Sequence, residues 1–226
     1  CFMKKLGHIL LALSLFVSSV AFTSCKDEEK KEGMMPSGTN IAEQDMPYGA
    51  TITKMLPENF PEIKITTEYD NRFLSEDEAA LVSNYFLAVN NNDVELLRSL
   101  YYEGYSDYYS KYIGFFDTSA YLSGMREETT KLIKDEYEFD YILINDCIKS
   151  TDDAASSFVF PTVDDLLKKF GEERDNADIT NRVNSRKVVR VEAFYTNENG
   201  DYSLSNRYGN DIDIYIYRIN GKAYIM

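Results

Sequence analysis

The chain reads as an α+β protein, with N-terminal helices packed on a curved antiparallel sheet. Three observations predict this. Residues 75–133 carry apolar side chains at helical spacing. Phe139 to Ile148 alternates as a half-buried strand does. Further on, Asn199-Gly200 and Asn220-Gly221 are two-residue hairpin signals, because both turn positions favour positive φ.

Before these elements comes a segment that is not part of the fold. Met3-Lys4-Lys5 is a short positive stretch. Leu6 to Phe22 is apolar apart from His8 and a few serines. This is the pattern of a secretory signal peptide. Phe22-Thr23-Ser24-Cys25 closes it and resembles the lipobox of bacterial lipoproteins, with Phe22 where Leu is commoner. The resemblance implies cleavage behind Ser24 and lipid attachment at Cys25. Palmitate-type chains would then hold the protein to a bilayer, each buried CH₂ adding about 0.8 kcal/mol. Two alternatives stand beside it. An ordinary signal peptidase would use Ser19-Val20-Ala21, and an uncleaved segment of about 18 residues is at the lower limit for a membrane span. Lys26-Asp27-Glu28-Glu29 resembles the acidic export signal of Bacteroidota surface lipoproteins, and a solvated charge run is the plain alternative. In a cell with a single membrane, the same anchor places the protein on that membrane's outer leaflet.

The expected organisation is a signal peptide at 1–24, a flexible tether at 25–45, an extended arm at 46–74 and an α+β domain at 75–226. The tether is polar and lacks apolar periodicity. The arm is broken by Pro47, Pro57 and Pro61, with a short strand near Ile63-Lys64-Ile65.

Composition excludes several chemistries. Without Lys4 and Lys5, 22 basic side chains face 38 acidic ones, a net charge of −16. Such a surface repels phosphate, so no nucleic acid is expected as a partner. The only histidine is His8, in the leader. The remainder lacks the commonest general base and transition-metal ligand. With Cys25 lipidated, Cys147 is the one thiol left, and it forms no intramolecular disulfide. No cofactor or metal is expected.

In the domain, Ser75-Glu76-Asp77-Glu78 fits a capping box. The helix behind it presents Ala79, Val82, Phe86 and Val89 on one stripe. Asn92-Asp93 starts a second helix carrying Val94, Leu97 and Tyr101, continuing unevenly past Gly104 towards Tyr112. A third starts near Asp117, with Leu122, Met125, Leu132 and Ile133 buried. A fourth, capped by Thr162, buries Val163, Leu166, Leu167 and Phe170, and Gly171 to Arg186 reads as a loop. Around Asn199-Gly200, Tyr195 is expected opposite Leu204, Ala193 opposite Asn206 and Val191 opposite Tyr208. Around Asn220-Gly221, Tyr217 is expected opposite Tyr224 and Ile216 opposite Ile225. Both faces of this last hairpin are apolar or aromatic, so something must cover both.

Two stretches carry a family resemblance. Asn84 to Leu97, NYFLAVNNNDVELL, resembles the opening helix pair of the nuclear transport factor 2-like (SnoaL-like) superfamily. Ile216 to Ile225, IYRINGKAYI, resembles its closing hairpin. The resemblance implies a cystatin-like/nuclear transport factor 2-like cone, in which helices and a concave sheet enclose a cavity for small molecules. The helix at Thr162 reads as an insertion in that fold.

The candidate site residues are tyrosines and one acid. Tyr101, Tyr105, Tyr108 and Tyr112 share a face if one helix runs through them. They form either a core wall with wet hydroxyls or a pocket lining. Asp213 shares a strand face with Asp211, Tyr215 and Tyr217. This is either a solvated edge or, as the ketosteroid isomerase branch of the superfamily implies, a general base with tyrosine donors. The pairs Glu127-Glu128, Asp152-Asp153, Asp164-Asp165 and Glu172-Glu173 read as solvated faces.

The leading expectation is therefore a lipid-anchored extracytoplasmic binding or interaction module. Its partners would be the bilayer, through Cys25, and a small amphipathic ligand, a glycan or an envelope protein. The alternatives are an acid–base enzyme using Asp and Tyr in the cone, and a structural envelope component forming a homodimer through an aromatic sheet face.

Overall fold

The computed structural model describes residues 46–50, 53–56, 64–151, 158–205 and 212–226, all within the compact unit Ala42–Met226. Cys25, the expected leader and tether, and Asp211 lie outside the described residues.

The elements in chain order are β1 (Lys54–Leu56), β2 (Thr66–Tyr69), α1 (Glu76–Asn91), α2 (Val94–Leu100), α3 (Tyr105–Tyr112), α4 (Thr118–Ile133) and β3 (Glu138–Lys149). There follow α5 (Pro161–Asp175), a 3₁₀ turn (Ile179–Arg182), β4 (Val183–Asn197), β5 (Gly200–Ser203), β6 (Ile212–Ile219) and β7 (Lys222–Ile225). The sheet runs β1-β2-β3-β4-β6-β7, with β5 paired to the far half of β4. It curls into a half-barrel, and the fold class is α+β. Register shifts between Phe139 and Tyr141 and between Ile144 and Asp146 are bulges of the kind that bend a strand.

The sheet is mixed, which corrects the expectation of an antiparallel one. β2 and β3 pair in parallel, with Thr66 opposite Tyr141 and Glu68 opposite Leu143. A parallel pair needs a long crossover, and four helices lie between these strands. The extended pieces of the 46–74 segment are thus hydrogen-bonded strands of the sheet. A clasp holds the start of that segment. Arg72 donates to the carbonyls of Met46 (3.2 Å) and Pro47 (2.9 Å) and pairs with buried Asp70, which also accepts the Gly49 amide at 3.0 Å.

α1 forms where its cap and stripe place it. The Ser75 amide donates to Glu78 Oε2 at 3.0 Å, and Ala79, Val82, Phe86 and Val89 are buried. At its far end, Asn90 exchanges two hydrogen bonds with the backbone of Phe139, at 2.7 and 2.9 Å, as a neighbouring strand residue would.

The second expected helix is two. α2 stops at Leu100, Tyr101 is extended and bridges Ile225 beside the sheet edge, and α3 restarts after Gly104 at φ 77°. In α4, Leu122 and Ile133 are buried as expected, but Leu132 points outward, 43% exposed. The cap of α5 is Phe160, two positions before the expected Thr162, with Pro161 in its first turn, where a missing N–H costs nothing. It then runs through Gly171 to Asp175, where a loop was expected. Gly171 is present for close approach: a Cβ there would lie 2.5 Å from the Ala177 carbonyl oxygen and 2.5 Å from Ile179 Cγ1.

The final hairpin has the expected register. Tyr217 faces Tyr224, Ile216 faces Ile225, and Asn220 and Gly221 take φ 50° and 83°. The earlier hairpin turns one position sooner than expected, at Glu198-Asn199, and pairs Tyr195 with Tyr202. Asn197 Oδ1 accepts the Asn199 amide at 2.9 Å, an Asx turn that outcompetes the Asn-Gly signal. The pairing ends at Ser203, and Val191 faces Ile212 of β6 instead. Asn206 and Tyr208 lie outside the described residues.

Candidate functional site

The site grows from the packing of α5 on the terminal hairpin. α3 packs against the C-terminal half of α5. Arg174 Nη2 meets Glu103 Oε2 at 3.3 Å, and the rings of Tyr105 and Tyr108 lie 5.4 and 5.2 Å from Phe170. Tyr102 bridges Phe170 (6.4 Å) and Tyr224 (5.4 Å). At the other end of α5, Phe160 packs on Tyr215 (6.5 Å) and Tyr217 (6.2 Å). The Tyr217–Tyr224 face of the hairpin is therefore covered by α5 and Tyr102. The Ile216–Ile225 face is buried on the side of α1, where Arg218 reaches Asp77 at 2.9 Å. The chain supplies both covers itself.

Between the tyrosine-rich helix and the sheet, aromatic side chains are buried against one another. Tyr105, Tyr217 and Leu167 are completely buried, and Tyr101, Phe160 and Phe170 nearly so. Burial raises the pKa of Tyr101, Tyr105 and Tyr217 above the phenol value of 10.0. The Asp164 carboxylate adds to this effect at Tyr217 and, behind the neighbouring tyrosines, at Tyr105. Among the described residues, neither the Tyr105 nor the Tyr217 hydroxyl has a hydrogen-bond partner. Asp164 stands close enough to Tyr217 to act on its charge, but the two do not meet in hydrogen-bond geometry.

At the surface above these phenols lies a cleft of about 220 Å³, lined by Ser150, Phe160, Pro161, Asp164 and Arg186. Asp164, in the first turn of α5, accepts from Arg186 Nε at 2.8 Å. The pair is partly open to solvent, with 31% and 25% of the two side chains exposed. Arg186 faces Tyr217 across β4 and β6, and its guanidinium lies 5.7 Å over that ring. The Ser150 amide donates to the Arg186 carbonyl at 3.0 Å, fixing the rim. The cleft thus has a planar donor fork, a carboxylate acceptor, a hydroxyl and an aromatic wall.

The residues singled out in the sequence separate into two groups. Tyr105 and Tyr217 come together behind Asp164, Tyr215 packs half-buried on Phe160, and Tyr101 is buried beside Tyr105 at 6.5 Å. Tyr108 is half-buried. Tyr112 is 63% exposed, so the break at Gly104 and the short α3 do not give a four-tyrosine wall. Asp213 shares the face of Tyr215 and Tyr217 but is exposed to solvent and pairs with Arg190 at 3.2 Å. Asp164, Arg186 and Phe160 are the residues the sequence reading missed. Asp164 looked like half of a solvated acidic pair, and Arg186 fell in an expected loop. The β4 alternation that sets Arg186 opposite Tyr217 was the available signal.

A second depression, about 510 Å³, is lined by Asp135 to Glu138 and Thr196 to Glu198. Among the described residues no group of three or more side chains is arranged to hold a metal ion, and no helix is long and apolar enough to cross a membrane. Cys147 is buried, and burial pushes its thiol up to about 12.

No family model, no curated protein and no solved structure matches this chain.

Proposed function

We propose that the protein is a lipid-anchored extracytoplasmic binding module, built on a nuclear transport factor 2-like cone whose interior is packed solid. Its contact with a ligand is made at the Asp164–Arg186 cleft. The filled interior carries this reading: Tyr105 and Tyr217 occupy the space in which a cone-shaped pocket would hold a small molecule. An interior acid–base mechanism needs a carboxylate beside the reacting atom. Asp213 is instead engaged with Arg190 at a solvent-exposed position of the strand, 33% exposed. A dimer through the last hairpin loses its rationale as well, since α1, α5 and Tyr102 cover both faces. The anchor is supported by Phe22-Thr23-Ser24-Cys25 and the acidic residues after it.

Metabolic labelling with an alkyne palmitate tests the anchor. The wild type takes the label and partitions with membranes, and Cys25→Ala loses both. Equal labelling of the two would sink the anchored reading. Protease treatment of intact cells, degrading the protein without lysis, tests its display on the outside.

A further inference from the structure

We propose that the Asp164–Arg186 cleft binds one ring of a neutral, polyhydroxylated ligand, a sugar or cyclic polyol presenting adjacent hydroxyl groups. This rests on the binding-module reading and names the ligand class of its site. Three observations carry it.

The first is chemical complementarity. A guanidinium offers a planar set of donors, and a carboxylate offers acceptors only. Held at 2.8 Å by one Nε–H···Oδ1 bond, the pair leaves the Arg186 Nη groups and Asp164 Oδ2 with no other hydrogen bond among the described residues. Two neighbouring hydroxyls, each both donor and acceptor, match such an edge. Ser150 at the rim adds a third polar contact, and exposed Pro161 offers an apolar surface to the C–H side of a ring.

The second is charge. The pair is internally neutral. An anion set against Arg186 would also meet Asp164 and a chain of net charge −14. A cation set against Asp164 would meet Arg186. A neutral ligand uses both partners without opposing either.

The third is size and rigidity. A cleft of about 220 Å³ is smaller than the ~300–1,000 Å³ of pockets for drug-sized ligands, so it takes one ring. Its polar groups hold each other: Arg186 lies over buried Tyr217 and bonds Asp164 at 2.8 Å. Two buried phenols without hydrogen-bond partners behind a carboxylate are unusual in a purely structural core.

The test uses the whole chain in a detergent without a sugar head group. The probes are methyl glucoside, methyl galactoside, methyl mannoside and myo-inositol, with glucuronate, acetate and inorganic phosphate as charged competitors, read by saturation-transfer NMR and calorimetry. At least one neutral probe is expected to bind with a millimolar Kd. Asp164→Asn and Arg186→Lys are each expected to weaken it about tenfold, since one removes the charged acceptor and the other the fork. Ser150→Phe, at the rim and clear of the ion pair, fills the cleft and is expected to abolish binding even where the ion-pair variants fold poorly. Glu172→Gln, on the exposed side of α5, leaves it unchanged. The inference is overturned if no neutral probe binds, if only the anions bind, or if binding survives Ser150→Phe. In each of those cases palmitate labelling at Cys25 still reports separately on the anchored-module reading.

Discussion

Glu78 caps its own helix and receives Lys187 of β4 on the same oxygen: Oε2 accepts the Ser75 amide at 3.0 Å and Lys187 Nζ at 2.5 Å. Its other oxygen lies 3.2 Å from Arg218. The glutamate side chain is 2% exposed, so a residue chosen for local helix chemistry also fastens α1 to the sheet.

Replacing Glu78 by Ala leaves Lys187 and Arg218 without their shared carboxylate. Removing one partner of a buried ion pair costs about 3–5 kcal/mol. Lys187 is only 17% exposed, which places the expected loss within that range. Urea unfolding of the two proteins checks it, and a loss below about 1 kcal/mol would mean the network is loose.

The same carboxylate sets an acid limit. Burial pushes the Glu78 pKa up, but Lys187 and the Ser75 amide prevail and hold it below the ordinary 4.5. Asp70, bonded first of all by Arg72, is likewise held below 3.8. Both folded values are depressed, so the stabilisation is complete above the ordinary values and is lost as pH falls through the folded ones. Stability measured by urea midpoint is expected to fall below about pH 4.5, and Glu78→Gln is expected to flatten that fall.

Tyr105→Phe and Tyr217→Phe are expected to stabilise the protein. A buried polar group without a partner costs about 1–3 kcal/mol, and the ring packing is retained in each variant. A raised melting temperature for both variants is the expected outcome. A lowered one would show that the hydroxyls are satisfied.

Gly171→Ala reverses the usual benefit of alanine in a helix. That benefit is about 1 kcal/mol. Here the new methyl would meet a backbone oxygen at 2.5 Å, which has little room to yield. A net loss of about 1–3 kcal/mol is expected, measured as a lower urea midpoint.

Much of the framework was legible from local chemistry. The capping box and four-residue stripe of α1 located it well, because cap and buried face agree. Asn220-Gly221 set the last hairpin's register, since a turn with two positive φ values leaves one pairing. Asn199-Gly200 failed because Asn197, one turn position earlier, competes for the same amides. The run from Val94 to Tyr112 failed for a tertiary reason: Tyr101 is drawn out of the helix to bridge Ile225, which no local pattern encodes. Gly171 read as a helix stop because a sequence does not distinguish a glycine needed for its φ from one needed for its missing Cβ. The candidate site was half visible. Tyrosines signalled themselves by number, whereas Asp164 and Arg186 meet only when α5 crosses β4.

The filled interior is tested most directly by spectrophotometric titration of the tyrosines, with circular dichroism followed in the same samples. Burial raises Tyr85, Tyr101, Tyr105, Tyr109, Tyr121 and Tyr217 above 10.0. The unfolded chain releases these protons first, so stability is complete below that value and falls as pH rises above it. The buried group is expected to ionise only together with the loss of structure, in one cooperative step. Reversible ionisation of Tyr105 and Tyr217 near 10 with the fold intact would mean that water reaches them and the interior is open after all.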